Sequence, residues 1–501
     1  MTTVALSLVS HTNVGKTTLA RTLLRRDIGE VRDEAHVTLE AERHTMIESP
    51  AGDRLQLWDT PGFGDSVRLA KRLAQAGNPI GWFLTEVWDR FRDRAFWSSQ
   101  RAVRNIVEQA DVVLYLVSAA EAPHDAGYLD AELKVMDLIG KPVIVLLNQL
   151  GPPHAPADEA AEIARWQERL RGASLVREVL ALDAFARCWV QEGRLLDAVA
   201  AVLPAARRAA FDRLREAWAQ RGRETWHAAM GVLSERLARA ALDQETLPAA
   251  DWTDRLSSVG AVLGLRREGA HTPRDKAMRT LAERLDADIR RSTDRLIRIH
   301  GLEGHATDVV LTRLAEHFAV NEPVDEGKAA IWGGLVTGAL AGLKADIVSG
   351  GLTMGGGLLA GGVLGALSAA GVARGVNVMR GVDVTTLRWD DKVLDGLARS
   401  ALLGYLAVAH YGRGRGDWAE SEHPAFWGEA VDAVMADHGA ALQDFWARHC
   451  GAGSTHSAEL TQALQSWLIE ASAALLMRLY PAARLPRQVI TLASNDPVRA
   501  P

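Results

Sequence analysis

Cysteine, tyrosine and net positive charge are all scarce in this chain. Only two cysteines occur in 501 residues, Cys188 and Cys450, and they form no paired spacing. That excludes a disulfide framework and a thiolate zinc site, and it suits a reducing compartment. The formal net charge is -6 with 24% charged residues, so no global basic field advertises nucleic-acid binding. The N-terminus runs straight into the apolar stretch "VALSLV", without the basic region and cleavage site of a signal peptide. A cytoplasmic location is the expectation. Leu, Ala and Arg dominate the later two thirds, which is the composition of helices following an initial α/β unit. A chain of 501 residues corresponds to about two to four domains.

What is present near the N-terminus is a phosphate-binding pattern. "VALSLVSHTNVGKTTLARTLLRR" reads as a buried strand, a loop and an amphipathic helix opening at Gly15. The loop approximates G-x-x-x-x-G-K-[ST], with Gly15, Lys16 and Thr17 in its last three places. In such a loop the backbone N–H groups, here around Val14 to Thr18, cradle phosphates at a helix N-terminus. Lys16 adds a cation at the β/γ end, and Thr17 offers a hydroxyl to Mg2+. Ser10 stands where the first glycine belongs, and serine does not freely adopt positive φ. Further on, "DRLQLWDTPGFGD" is a strand running into Asp59-Thr60-Pro61-Gly62. In P-loop nucleotidases an aspartate there holds Mg2+, and the glycine N–H senses the γ-phosphate. Asp-Thr-Pro-Gly is also plain turn chemistry, but its strand placement downstream of a P-loop favours the first reading. The stretch "GEVRDEAHVTLEAERHTMIES" between them should be a polar loop whose threonine completes the Mg2+ shell. Thr38 is the first choice and Thr45 the second; the plain alternative is an exposed loop threonine. Lys16, Thr38, Asp59 and Gly62 are thus the candidate catalytic residues.

These residues resemble the Era/TrmE-like branch of small GTPases, whose P-loop commonly reads Asn-x-Gly-Lys, here "NVGK" from Asn13 to Lys16. The resemblance covers about residues 1–204, with specific motifs in the first third and near Asn148. It implies GTP and GDP as ligands, Mg2+ held by Thr17, Thr38 and Asp59, and a monovalent cation, often K+, beside Asn13. It also implies a hydrophobic residue after Asp-x-x-Gly, a place that Phe63 fills. Phenylalanine cannot orient an attacking water, so slow intrinsic hydrolysis is expected. At the base end, "KPVIVLLNQLG" is a buried strand leading into Asn148-Gln149-Leu150-Gly151. The usual GTPase tetrad is Asn-Lys-x-Asp: the asparagine ties the base to the P-loop region, the lysine packs on the rings, and the aspartate accepts from guanine. Asn148 is kept and Gln149 can lie along the base, but Gly151 has no carboxylate. Losing that buried acceptor should weaken guanine preference considerably. Asp183, in "LALDAFARCW", lies near the expected last base-contacting loop; it either supplies the acceptor or caps its own loop. The resemblance favours GTP, while the residues alone leave GTP and ATP both open.

"DVVLYLV", "DAELKVMDLI" and "VIVLLN" alternate strand, helix and strand, which predicts a doubly wound, mostly parallel sheet over 1–204. A helical insertion at about 65–100 places Leu84, Trp88, Phe91 and Ala95 on an apolar stripe. Core packing is the plainer reading, although the position after the phosphate-sensing glycine also suits transmission of nucleotide state. From 205 to 328 the chain reads as long amphipathic helices with the mixed charge of a solvated face. Arg290, Arg291, Arg295 and Arg298 form a local run that acidic lipid or RNA would suit. No G-x-x-G loop within a β pattern is visible, so RNA binding does not follow from the resemblance, and nucleic acid is not the expected partner.

The segment 329–376 is apolar and glycine-rich. Gly334, Gly338 and Gly342, then Gly357, Gly361 and Gly365, recur every four residues, which predicts a glycine-zipper hairpin of two helices. Either it is buried in a soluble helical domain, or it meets a membrane surface and makes the protein peripheral at the inner membrane. Its second run, 347–373, reaches the roughly 20 residues of a span, and its first, 329–343, does not. Residues 377–485 read as a helix through "DVTTLRWDDKVLDGL", a "GRGRG" turn carrying Arg413 and Arg415, and further helices; 486–501 reads as a tail. The layout also resembles a bacterial family that joins a GTPase domain to a helical domain of unknown function. The fold class expected is α/β then all-α: a GTP-binding switch, slow in hydrolysis, that transmits nucleotide state to a helical domain. Its partner is an unidentified protein or a second copy of the GTPase domain. A soluble nucleotide-dependent interaction protein with a buried hairpin and an RNA- or ribosome-associated GTPase are the alternatives.

Overall fold

The computed structural model describes residues 1–25, 28, 41–75, 78–85, 93–151, 154–184, 188–247, 273–302, 376–380, 385–411, 425–449 and 457–482. The chain forms two compact units. The first is Met1–Thr225 with Ala409–Pro424 and Leu476–Val489; the second is Trp226–Val408 with Ala425–Leu475 and Ile490–Pro501. The division falls inside the long helix Ala205–Leu242, so the turn at Pro204 separates two elements of the first unit.

The first unit is built on a six-stranded sheet of β1 (Thr3–Ser10), β2 (Glu42–Glu48), β3 (Arg54–Asp59), β4 (Val112–Ser118), β5 (Val143–Asn148) and β6 (Val176–Ala181), in the order β2-β3-β1-β4-β5-β6. Every pairing is parallel except that of β2 with β3. β4 and β5 are buried along their whole lengths, as expected of Val/Leu/Ile runs covered on both faces by helices. Because β1 lies between β3 and β4, the carboxyl ends of three strands meet where the strand order reverses, the usual place for a ligand in such sheets. Ser10 and Asp59 stand at that end.

Helices α1 (Lys16–Leu24), α2 (Ser66–Leu73), α3 (Pro79–Thr85), α4 (Arg94–Glu108), α5 (Leu129–Ile139), α6 (Pro156–Leu170) and α7 (Trp189–Val202) complete the layers. The insertion after the Asp-Thr-Pro-Gly turn packs into the core. Leu69, Leu73, Phe83 and Phe96 are fully buried with Val113 and Tyr115 of β4, and the two phenylalanine rings meet edge-on at 6.3 Å. Each such side chain contributes roughly 1.5–3 kcal/mol. Asp65 and Asp93 start α2 and α4 by accepting from Arg68 N (3.0 Å) and Phe96 N (3.4 Å). Trp88 and Phe91 lie outside the described residues.

The second unit is mainly helical. It contains the later part of α8 (Ala205–Leu242), α9 (Pro273–Ile299), α11 (Ala425–His449) and most of α10 (Asp391–Ala409) and α12 (Ser457–Leu479). Indole N–H groups stitch the helices: Trp226 donates to Ser472 Oγ, Trp446 to Asp395 Oδ1 and Trp467 to the His438 carbonyl, each at 2.9 Å. A buried tryptophan needs such a partner, so each one fixes a helix pair. The mainly helical expectation holds, and the unit also carries a small sheet. β7 (Gln244–Leu247), β9 (Thr385–Trp389) and β8 (Val376–Arg380) form an antiparallel sheet in that order. "TTLRW" is therefore a strand, not the opening of a helix. Its residues alternate, with Leu387 and Trp389 buried and Thr386 and Arg388 less so, which is the period of a strand. Asp390 then caps α10 by accepting from Val393 N at 2.8 Å.

The arginine run on α9 is largely paired. Arg290 meets Asp286 at 3.0 Å, Arg291 meets Asp288 at 2.5 Å and Arg295 meets Glu235 at 2.6 Å. The hairpin expected at 329–376 (all but its last residue), Arg413, Arg415 and the tail 486–501 lie outside the described residues. Among the described residues, no helix is long and apolar enough to cross a membrane.

Candidate nucleotide-binding site

The loop between β1 and α1 is shaped for an anion. Asn13 (φ 64) and Gly15 (φ 84) are left-handed, a geometry that turns successive N–H groups to one side. At Gly15 a Cβ would lie 2.8 Å from Asn148 Nδ2, so both backbone and space demand glycine there. The first turn of α1 carries no acid, leaving its N–H groups and dipole to a ligand. Ser10 removes the difficulty seen in the sequence. It lies in the extended β1 strand and is not a positive-φ residue. Its hydroxyl accepts from Lys16 Nζ at 3.0 Å and donates to the His11 carbonyl. Val14 and Thr18 are buried, their carbonyls accepting from Asn148 Nδ2 (2.7 Å) and Thr22 Oγ1 (3.0 Å).

Lys16 is buried, which pushes its pKa down, while Asp59 and Glu132 act in the opposite direction. Thr17 Oγ1 donates to Asp59 Oδ2 at 2.6 Å. Asp59 Oδ1 is buried with no hydrogen-bond partner among the described residues. Burial raises the Asp59 pKa to about 6, against the pull of the Thr17 hydrogen bond and the Lys16 charge. A hydroxyl and a carboxylate with a spare oxygen are the donors a hard divalent cation takes when substrate phosphates supply the rest. Among the described residues no group of three or more His, Cys, Asp or Glu is arranged to hold a metal by itself. Gly62 abuts the loop: a Cβ there would lie 3.1 Å from Lys16 Nζ and 3.2 Å from Thr12 Cα. Phe63 is fully buried, and its N–H donates to the Ser10 carbonyl at 2.9 Å.

Thr38 lies outside the described residues. Thr45 is exposed in β2 opposite Gln56, whereas Glu42 is the residue opposite Asp59. Three strand positions span about 10 Å, so Thr45 is remote from Asp59 and the second choice is corrected.

At the base end, Asn148 is fully buried. It donates through Nδ2 to the Val14 carbonyl at 2.7 Å and accepts at Oδ1 from Ala184 N at 2.9 Å. One side chain therefore joins the phosphate loop to the loop after β6. Gln149 is left-handed (φ 59), and its Oε1 accepts from Ser118 Oγ at 2.7 Å. Gly151 (φ 88) has nothing within 4 Å of a hypothetical Cβ. Asp183 is buried and accepts from Leu150 N at 2.5 Å, which brings a carboxylate beside the loop where the tetrad lacks one.

Two features escaped the sequence reading. Glu132 is fully buried on α5 and binds His11 Nδ1 and Tyr115 OH, each at 2.7 Å, and Ser66. Burial raises its pKa, opposed by His11, Tyr115 and Ser66. The signal was an acid on the apolar face of "LDAELKVMDLI", between Leu129 and Leu133. The second feature is α4 holding the Asp-Thr-Pro-Gly turn. Ser98 Oγ donates to the Gly62 carbonyl at 2.8 Å, and Gly64 N donates to Ser99 Oγ at 3.1 Å.

Comparison with known proteins matches two parts of the chain, the second beginning within the first unit. Residues 5–149 match the family model described as a 50S ribosome-binding GTPase. Residues 174–471 match the model of a domain of unknown function, DUF3482. No curated protein matches the chain. Among solved structures, Era in complex with MgGDPNP and a segment of 16S ribosomal RNA is 19% identical over 41% of this chain and 58% of its own, with a TM-score of 0.30. Era from Aquifex aeolicus bound to GDP.AlF4- is 14% identical over 60% of this chain and 99% of its own, with a TM-score of 0.29. A variant of SsGBP is 16% identical over 36% of this chain and 50% of its own, with a TM-score of 0.23. These structural likenesses are too slight to carry an argument. The two sequence matches agree with the geometry: a P-loop GTPase fold with a mixed sheet precedes a mainly helical region. The second match spans more than half of the chain, and the protein belongs to the DUF3482 family.

Proposed function

We propose that the first unit binds GTP and GDP with Mg2+, hydrolyses GTP slowly and passes the nucleotide state to the helical region. The observation that carries this is the Thr17–Asp59 hydrogen bond, with Asp59 Oδ1 unpartnered among the described residues, beside a left-handed loop and a buried lysine. The loop N–H groups bind the phosphates, Lys16 neutralises their β/γ end, and Thr17 and Asp59 hold the cation. Mg2+ would supply charge neutralisation across the β- and γ-oxygens. Gly62 N–H is the γ-phosphate contact. Phe63, turned into the core, gives the attacking water no hydrogen bond, which favours slow turnover. Asn13 is the proposed neighbour of a K+ ion. Asp183 is the proposed acceptor for guanine; ATP is the second reading, because Gly151 brings no carboxylate of its own.

A nucleotide panel tests this: GTP against ATP, in K+ and in Na+, with wild type and Lys16→Ala. Tight GTP binding lost in Lys16→Ala supports the reading, and no nucleotide binding by the wild type sinks it. Equal turnover in both salts removes K+, and a preference for ATP reverses the base assignment. Vesicle flotation with a GTP analogue, with GDP and without nucleotide tests whether nucleotide state governs a contact of 329–376 with lipid; the lack of any nucleotide-dependent flotation ends that idea.

A further inference from the structure

The second unit contains a cation that its surroundings do not match. Arg236, on α8, is 5% exposed. Its Nη1 donates to Ser292 Oγ of α9 at 3.3 Å, while Nε and Nη2 are buried with no hydrogen-bond partner among the described residues. Those two N–H groups form one edge of the guanidinium, the edge that grips a carboxylate or phosphate through parallel hydrogen bonds. Burial lowers the Arg236 pKa to about 10, and the opposing influence is Asp288.

Asp288 is shared. Its Oδ1 lies 3.3 Å from Arg239 Nε and 2.5 Å from Arg291 Nη2. Three guanidinium groups thus lean on one carboxylate. Elsewhere on α9, Arg284 meets Asp243 at 2.7 Å, Arg290 meets Asp286 at 3.0 Å and Arg295 meets Glu235 at 2.6 Å. The group around Asp288 has more cations than carboxylates. Its members run inward, with the Arg291 and Arg239 side chains 68% and 47% exposed, Asp288 at 11%, and Arg236 enclosed. All the buried side-chain polar atoms of this unit that lack a hydrogen bond among the described residues are donors, on arginine or tryptophan. A buried guanidinium with an open bidentate edge is strongly disfavoured unless an anion closes it. Three cations on one carboxylate leave two positive charges, and a phosphate monoester carries about 1.5 to 2 negative ones.

We propose that Arg236 and Ser292, with Arg239, Asp288 and Arg291 leading to them, form an anion site that takes a phosphate group, free or as the headgroup of an acidic lipid. The site is separate from the phosphate loop of the first unit and does not depend on the function proposed for it.

The test uses the full chain with GDP and Mg2+ in excess, and the Lys16→Ala chain in parallel, so that the phosphate loop cannot account for the result. Melting temperature is followed against inorganic phosphate and pyrophosphate at constant ionic strength, with chloride as the comparison. Above half-saturation, each tenfold rise in phosphate should add an equal increment of stability. The rise is expected in wild type and Lys16→Ala and absent in Arg236→Met. Without phosphate, Arg236→Met should melt at or above wild type, because it removes an unmatched buried charge. Vesicles of phosphatidylglycerol against phosphatidylcholine separate the sources: Arg236-dependent flotation that phosphate competes away assigns a lipid headgroup, and a phosphate response without flotation assigns a free anion. The proposal is overturned by a wild type indifferent to both probes. It is equally overturned by a response that Arg236→Met keeps, or by an Arg236→Met chain that fails to fold or melts well below wild type, since the guanidinium would then be a structural element satisfied by Asp288.

Discussion

Replacing Asn148 separates the phosphate-loop architecture from a mere sequence likeness. Its side chain closes two hydrogen bonds in a fully buried position, to the Val14 carbonyl at 2.7 Å and from Ala184 N at 2.9 Å. Asn148→Ala loses both, each worth about 0.5–1.5 kcal/mol net, and leaves a buried carbonyl and N–H unpaired at about 1–3 kcal/mol each. Relaxation of the two loops will recover part of that, so a loss of about 3–5 kcal/mol is expected. Urea unfolding followed by tryptophan fluorescence measures it, together with nucleotide affinity, which should fall because the phosphate and base loops are no longer joined. Asn148→Asp sharpens the test. It keeps the acceptor for Ala184 N but sets a carboxylate against the Val14 carbonyl. Burial and that carbonyl would raise the new carboxyl's pKa above its unfolded value. The destabilisation would therefore be small below the unfolded pKa of about 4 and would grow as pH rises through the folded one. An Asn148→Ala chain within about 0.5 kcal/mol of wild type, or an Asn148→Asp loss independent of pH, would refute the tie.

Burial raises the Asp59 pKa from its ordinary 3.8 to about 6, so its ionisation costs the nucleotide-free fold about 3 kcal/mol. The cost is absent below about pH 4 and complete above about pH 6; Asp59→Asn should thus stabilise the nucleotide-free chain at pH 7, not at pH 4, while weakening Mg2+-dependent nucleotide binding. Stabilisation that does not change with pH would disprove the assignment. Phe63→Gln places an amide in the core and should cost about 3 kcal/mol in urea unfolding without raising turnover; a stable, faster enzyme would show that the side chain can reach the nucleotide. Asp183→Ala frees Leu150 N and should reduce the preference for GTP over ATP at least about tenfold in competition binding, and an unchanged ratio would leave Asp183 as a loop tether alone.

The phosphate loop was legible because its work is done by consecutive residues. Gly15, Lys16 and Thr17 need no distant partner to be recognised, and Asp59 follows from the end of its strand. Ser10 was misjudged for a local reason: the pattern asks for glycine, but here the β1 strand continues through that position and requires no positive φ. Glu132 was not singled out because its partner His11 lies 121 residues away. Nothing in the spacing says which loop a buried acid on α5 will meet. Asp183 stayed ambiguous for the same reason, since whether it caps its own loop or reaches Leu150 depends on β5 and β6 being neighbours. In the helical half, amphipathic periodicity located α8 and α9, but five residues of strand in front of α10 were absorbed into a helix. Their alternation is too short to outweigh the long helical pattern that follows, and it becomes decisive only once β7 and β8 stand on either side.

The same contrast shows how a nucleotide signal can leave the loop. Gly62 is held from both sides: its Cα faces Lys16 and Thr12 closely enough to exclude a side chain, and its carbonyl is bound by Ser98 of α4. Phe63 N–H is spent on Ser10, and Gly64 N–H on Ser99. A Cβ at Gly64 would sit 2.6 Å from Ala95 Cα, so the turn cannot slide along α4 without moving it. Phe63 and Gly64 N–H are already engaged, so the proposed γ-phosphate contact of Gly62 N–H does not compete with them. Any rotation of that peptide pulls on the carbonyl bonded to Ser98, and through it on a helix whose Phe96 is wedged against Phe83 in the core. Ser66, two residues beyond Gly64, is anchored in parallel to Glu132 and so to His11 of the phosphate loop. On the proposed function, nucleotide state would have two mechanical outlets from one turn, α4 and α5, and both are helices packed against β4.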